Sequence, residues 1–311
     1  MMEMPTHKFK RKVPKSMSGF SLLELAIVLL IVGLVMGASL KAGVAYISIE
    51  KRKVTIARLS ALDTAFVNYV AQNKRLPCPA DGATASGNVN AGVEQRTAAN
   101  GVCTTVNRGV VPWVSLGISE GDAQDGWFNR ITYKVISAKV GPANIGLTSN
   151  EALDMTQCDP AGTGALEDRS FSLQSVSTCK QKPPCASNSL VNCTSVSTFL
   201  DNRGIQIRDG VLGNILMNPA QGTGAAYVLI SHGDNAVGAY SSSGTIQSAN
   251  GIAASALEIQ NRNNVPILQT YFINAPQNID SVGLTHFDDI LSYPSLHSVI
   301  NKAQLGARAS L

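Results

Sequence analysis

The sequence predicts an α+β protein: one long N-terminal α-helix, with a membrane half and an amphipathic half, packed on a mainly antiparallel β-sheet body with long loops. Three observations carry this. Residues 20–40 form a run of 21 with a single ionisable side chain, Glu24. No proline interrupts the chain from Phe20 to Leu76. After Pro77 the composition turns to Gly, Ala, Asn and Thr between short apolar segments, as in strands joined by loops. The expected divisions are a basic leader over 1–19, the helix over 20–76 with its transmembrane part at 20–40, and a globular body over 77–311 with a Cys-bearing loop region at 155–200.

The apolar run is long enough to span a bilayer, which takes about 20 helical residues. A secretory signal would have a shorter apolar core with small residues at its far end. Here the small residue, Gly19, comes first. A cut after Gly19 removes the leader and leaves the apolar segment as the new N-terminus. At the bilayer centre Glu24 would cost about 2.5–3.5 kcal/mol. One reading makes it a tolerated interfacial charge. The other pairs it with a positive charge of another subunit, such as the Phe20 amine that the cut would free.

Gly19-Phe-Ser-Leu-Leu-Glu-Leu25, followed by Ala-Ile-Val-Leu-Leu-Ile-Val-Gly-Leu-Val, resembles the class III signal of type IV pilins and type II secretion pseudopilins. The resemblance implies a pilin-like fold. It also implies that a membrane prepilin peptidase cleaves between Gly19 and Phe20 and methylates the Phe20 amine, with Glu24 as the assembly carboxylate. Many members of that family carry a proline near the end of the span, where this chain has Lys41. Gly33, Gly37 and Gly43 remain to loosen the helix, at about 1 kcal/mol per glycine against Ala. The partners implied are the peptidase, other pilin or pseudopilin subunits and an inner-membrane assembly platform.

Charge adds two constraints. Of 25 Lys+Arg and 21 Asp+Glu, five basic residues and one acidic residue lie in the leader, so 20 of each remain without it. No bulk electrostatic case for nucleic-acid binding survives that balance. Lys51–Lys53 with Arg58 is a local basic patch whose plainer role is a solvated helix face or headgroup contact. Basic residues beside a span favour the cytoplasmic side, but Lys41, Lys51, Arg52 and Lys53 follow the run as well. The orientation, with the leader in the cytoplasm and the body in the periplasm, therefore comes from the resemblance.

From Lys41 to Asn73 apolar residues recur at spacings of three and four: Val44, Ile47, Val54, Leu59, Leu62, Phe66, Val67 and Val70. Pro77 and Pro79 end the helix. A helix over Phe20–Asn73 is about 80 Å long, too long to pack wholly inside one domain. In the body, Gly109–Leu116, Ile131–Val135, Ala225–Ser231 and Val265–Ile273 read as strands. Ala253–Gln260 reads as a short helix, and Pro294–Ala303 as another with Pro294 in its first turn. The acidic pair Asp288-Asp289 before an apolar run fits a helix N-terminus. Asp125-Gly-Trp-Phe-Asn-Arg-Ile-Thr-Tyr133 reads as a turn into a strand. It also resembles the turn and strand of major pseudopilins, except that Phe128 stands where they usually have glycine. Trp113, Trp127 and Tyr133 read as core aromatics.

The six cysteines are Cys78, Cys103, Cys158, Cys179, Cys185 and Cys193. In an exported body they are disulfide candidates, and six allow 15 pairings. The pairing expected first is Cys78–Cys103, stapling the loop after the helix, with the other four closing 155–200. Zinc is disfavoured because no Cys-x-x-Cys is present.

The sequence carries no His-Glu-x-x-His motif and no Walker loop, and its four His residues are His7, His232, His286 and His297. Ser231, His232 and Asp234 stand too close in sequence to face one another as a triad. The reading is therefore a structural subunit, not an enzyme, with no metal ligand assigned. Calcium enters only through the resemblance, since major pseudopilins hold it in a loop near the C-terminal end. The expected function is a minor pilin or pseudopilin of a type IV pilus or type II secretion filament. It would sit in the inner membrane with a single pass before assembly. The alternative is a membrane-anchored periplasmic adhesion or binding module that does not assemble.

Overall fold

Helix α1 runs Leu22–Asn73. The computed structural model describes residues 21–97, 102–137, 146–150, 152–155, 196–248, 255–263, 271–278 and 285–306, without the side chains of 35–45 and 198. The chain divides into two units, Met1–Ser48 and Ile49–Leu311, and α1 contributes to both.

In the first unit every described side chain from 21 to 34 is exposed, including Leu22, Leu23, Leu25, Ile27 and Leu30. Among the described residues no helix is long and apolar enough to cross a membrane. Gly19 and Phe20 lie outside the described residues, and over 35–40 the run expected at 20–40 is described in its helical backbone alone.

In the second unit α1 buries Thr55, Leu59, Leu62, Phe66 and Val70, spaced three or four apart on one face. Ile47 and Val54, expected on that face, are exposed. The helix stops where the sequence reading ends it. Lys74 takes a left-handed φ of 56°, and its N–H bonds the Val70 carbonyl. Pro77 and Pro79 follow, and proline cannot continue the ladder.

Five strands form one antiparallel sheet in the order β1-β2-β3-β6-β8. They are β1 (Ala80–Asp81), β2 (Gly109–Val110), β3 (Thr132–Lys134), β6 (Val228–Ser231) and β8 (Ile290–Ser292). A smaller sheet, β5-β4-β7, joins β4 (Gln206–Arg208) to β5 (Ile215–Met217) antiparallel and to β7 (Tyr271–Ile273) parallel. Strands β3 and β6 are buried at every position. Their alternating side chains feed two cores. Tyr133 and Leu229 join the α1 residues Leu59, Leu62 and Phe66. Val228 and Ile230 join Ile207 and Phe272 of the small sheet. Phe66 fills the centre of the first core, its ring centroid 4.7 Å from Tyr133 and 4.6 Å from Tyr227.

Several expected elements change. Pro112 ends the strand expected over Gly109–Leu116 after β2, and Trp113–Leu116 turns into the short helix α2. The helix near the C-terminus, α5 (Leu296–Lys302), is capped by Ser295, whose Oγ accepts the Ser298 N–H. Pro294 therefore precedes the cap instead of lying in the first turn. Asp288 and Asp289 start no helix; they lead into β8. Val196–Leu200 of the loop region forms the helix α3, while Cys158, Cys179, Cys185 and Cys193 lie outside the described residues. Trp113 and Tyr133 are buried, and Trp127 is half-buried against the same core.

Cys78 and Cys103 form a disulfide across a sequence separation of 25. Closing a loop of that length limits the unfolded chain by about 3 kcal/mol. Replacing both cysteines by Ala is expected to lower unfolding free energy by about that amount in denaturant titrations.

Lys134, buried in β3, donates from Nζ to the Val106 carbonyl at 3.2 Å. Burial pulls its ammonium down to about 7 from an ordinary 10.5. The unfolded chain holds this proton more tightly, so stability rises with pH between about 7 and 10.5, and the penalty is complete below that window. Lys134→Met is expected to raise unfolding free energy at pH 7 by on the order of 2 kcal/mol, with the gain fading towards pH 10.

Candidate functional site

The N-terminal end of α1 is built by its own sequence. Ser21 is the cap: its Oγ accepts the Glu24 N–H at 3.2 Å, and its carbonyl accepts the Leu25 N–H at 3.1 Å. With Leu22 as the first helical residue, Glu24 is the third. Ser21-Leu-Leu-Glu24 is thus a capping-box sequence, and an acidic side chain in the first turn suits the positive end of the helix dipole. The two sequence readings of Glu24, interfacial charge and assembly carboxylate, leave out this local role, for which Ser-x-x-Glu before an apolar run is the signal. Glu24 is exposed, and exposed apolar side chains follow it through Leu34. Such residues on every side of a helix require an apolar surrounding.

In the second unit the Asp125 turn docks on α1. Asp125 Oδ1 accepts the N–H groups of Trp127 and Asn129, at 2.9 and 3.0 Å. Gly126 donates to Thr55 Oγ1 at 2.9 Å, and Arg58 donates to the Gln124 and Asp125 carbonyls. A Cβ on Gly126 would lie 2.2 Å from the Lys51 carbonyl oxygen, so only glycine fits there. Phe128 has φ 66° and is 71% exposed. That backbone suits glycine, which accounts for the glycine usual at this place in the proteins the segment resembles. The basic patch is dispersed: Lys53 pairs with Glu50, Lys51 lies 6.0 Å from the Trp127 ring, and Arg58 is spent on carbonyls.

Ser231, His232 and Asp234 go to separate partners. Ser231 Oγ donates to Asp125 Oδ2 at 2.7 Å, His232 Nε2 is 2.8 Å from Thr132 Oγ1, and Asp234 Oδ1 accepts Trp127 Nε1–H at 2.7 Å. Near them, Glu258 in α4 (Ala256–Asn261), His286 and Asp288 are buried together. The sequence does not reveal this cluster, because Glu258 stands far before His286 and Asp288 in the chain and the three fit no short spacing motif. Desolvation, then the charges of Asp289 and Asp288, push the Glu258 carboxyl up to about 7 against the opposing Asn235 hydrogen bond. Burial raises Asp288 as well.

A family model described as the prokaryotic N-terminal methylation motif matches residues 14–40. Neither the curated proteins nor the solved structures include a significant match to the chain. The matched segment contains Gly19, Phe20, the Ser21 cap and Glu24, and the body after it is α+β with an antiparallel sheet, consistent with a pilin-like fold. The chain therefore carries the prepilin-type signal of type IV pilins and pseudopilins, a family of structural rather than catalytic proteins.

Proposed function

We propose that the chain is a minor pilin or pseudopilin, a structural subunit of a type IV pilus or type II secretion filament. The motif at 14–40, continuous with α1, is the observation that carries this reading. A prepilin peptidase removes residues 1–19 and methylates the Phe20 amine. Before assembly the apolar start of α1 crosses the inner membrane once, with the body in the periplasm. During assembly the helices of other subunits replace lipid around it, and Glu24 meets the charged terminus of a neighbour. A carboxylate in an apolar surrounding is retained when an opposite charge meets it. The length of the body beyond α1 favours a minor subunit, whose outer face sets what the filament displays.

The test is fractionation. In cells of the source organism, sheared filaments or overproduced pseudopili should contain the body. Recovery of the body only in the inner-membrane fraction would instead support an anchored adhesion or binding module.

A further inference from the structure

Three segments of the body converge on one buried point: α4, the turn after β6, and the stretch leading into β8. Glu258 is fully buried, with His286 and Asp288 3% and 4% exposed. A ligand atom from each lies within 4.8 Å of the others. His286 Nε2 is 3.7 Å from Glu258 Oε1 and 3.6 Å from Asp288 Oδ2. These separations exceed a hydrogen bond. They place both carboxylates beside the imidazole without a direct bond to it.

The two carboxylates are held alike. Glu258 Oε1 accepts Asn235 Nδ2–H at 2.8 Å, and Asp288 Oδ2 accepts the N–H groups of Asp234 and Asn235 at 2.7 and 3.1 Å. Each therefore has one oxygen fixed by donors. The other oxygen of each, Glu258 Oε2 and Asp288 Oδ1, is buried with no hydrogen-bond partner among the described residues. A buried carboxylate oxygen left bare is costly, and two beside a histidine make a cation the economical partner. Gly233, with φ 56°, completes the support, since a Cβ there would lie 2.5 Å from Asp288 Cγ.

We propose that Glu258, His286 and Asp288 bind a divalent first-row transition ion, zinc by preference, as a structural staple joining α4, the β6 turn and the approach to β8. One imidazole with two carboxylates is a donor set for zinc; calcium takes six to eight oxygens. Three protein ligands leave one position of a tetrahedral ion for a water, and the burial of all three residues ties ion binding to folding stability. The donors from Asn235 and Asp234 are the outer shell that orients the ligands.

The test uses the full chain in detergent, purified without a histidine tag, stripped with chelator, and with free thiols alkylated. Zinc chloride is then added, and bound metal is measured after equilibrium dialysis. The expected result is one zinc per chain at micromolar free metal and a melting temperature several degrees higher than in chelator. Glu258→Gln, which keeps the Asn235 hydrogen bond, and His286→Ala should each weaken zinc binding at least tenfold, with circular dichroism confirming their folds. No stoichiometric zinc on the wild-type chain would overturn the proposal whatever the variants do. Undiminished binding by folded variants, or a melting shift with calcium and none with zinc, would overturn it equally.

Discussion

Glu24→Gln and Glu24→Ala are both expected to remove the chain from filaments, at least tenfold in the sheared fraction, while cleavage after Gly19 continues. The pair separates two roles that fall on one side chain. Glu24 is the third residue of α1 behind the Ser21 cap, and a capping box accepts Gln as well as Glu at that place. Gln therefore keeps the local helix start and loses only the charge. Capping is worth about 1 kcal/mol, too little to exclude a subunit held by a long apolar helix. An unpaired charge-bearing terminus among apolar helices costs several times that. Equal loss with Gln and Ala identifies the carboxylate as the assembling group. Full incorporation with Gln and loss with Ala would reduce Glu24 to a helix cap, and normal incorporation of both would remove it from assembly.

Phe66→Ala is expected to lower unfolding free energy by about 3–5 kcal/mol, with Phe66→Leu costing about 1–2 kcal/mol. Phe66 is fully buried and is the α1 side chain stacked on both Tyr133 of β3 and Tyr227, which precedes β6. Neither tyrosine can swing into the space left by Ala. Tyr133 Oη is bonded to the Pro77 carbonyl, and Tyr227 Oη to Asp63 Oδ1, both at 2.9 Å. The lost ring thus leaves a cavity between the helix and the sheet centre. Denaturant unfolding of the oxidised chain should show a lower midpoint at unchanged slope. A cost below 1 kcal/mol would mean that the helix does not depend on this stack.

What could be read in the sequence was what repeats or punctuates. Pro77 and Pro79 mark the end of α1, and Leu59, Leu62, Phe66 and Val70 mark its buried face. Alternation in Ile131–Val135 marks β3, although the half-buried strand it implies is buried at every position, and Cys78–Cys103 is the pairing expected first. Strands β1, β4, β5 and β8 escaped because two or three residues hold too little alternation to register. Gly109–Leu116 misled because Val-Val-Pro-Trp has strand composition, while Pro112 redirects the backbone into α2. Asp288 and Asp289 misled for a tertiary reason. Asp288 accepts amides of the turn after β6, and Asp289 accepts Asn261 Nδ2–H at 2.8 Å. The motif at 14–40 is contiguous and was legible. The Glu258–His286–Asp288 cluster exists only once the chain has folded.

Prepilin processing, on which assembly depends, is decided by the mass and N-terminal residue of the mature protein in its native membrane. The expected result is a chain that begins at N-methylated Phe20, with residues 1–19 gone. An intact Met1, or a start beyond Leu40, would contradict it.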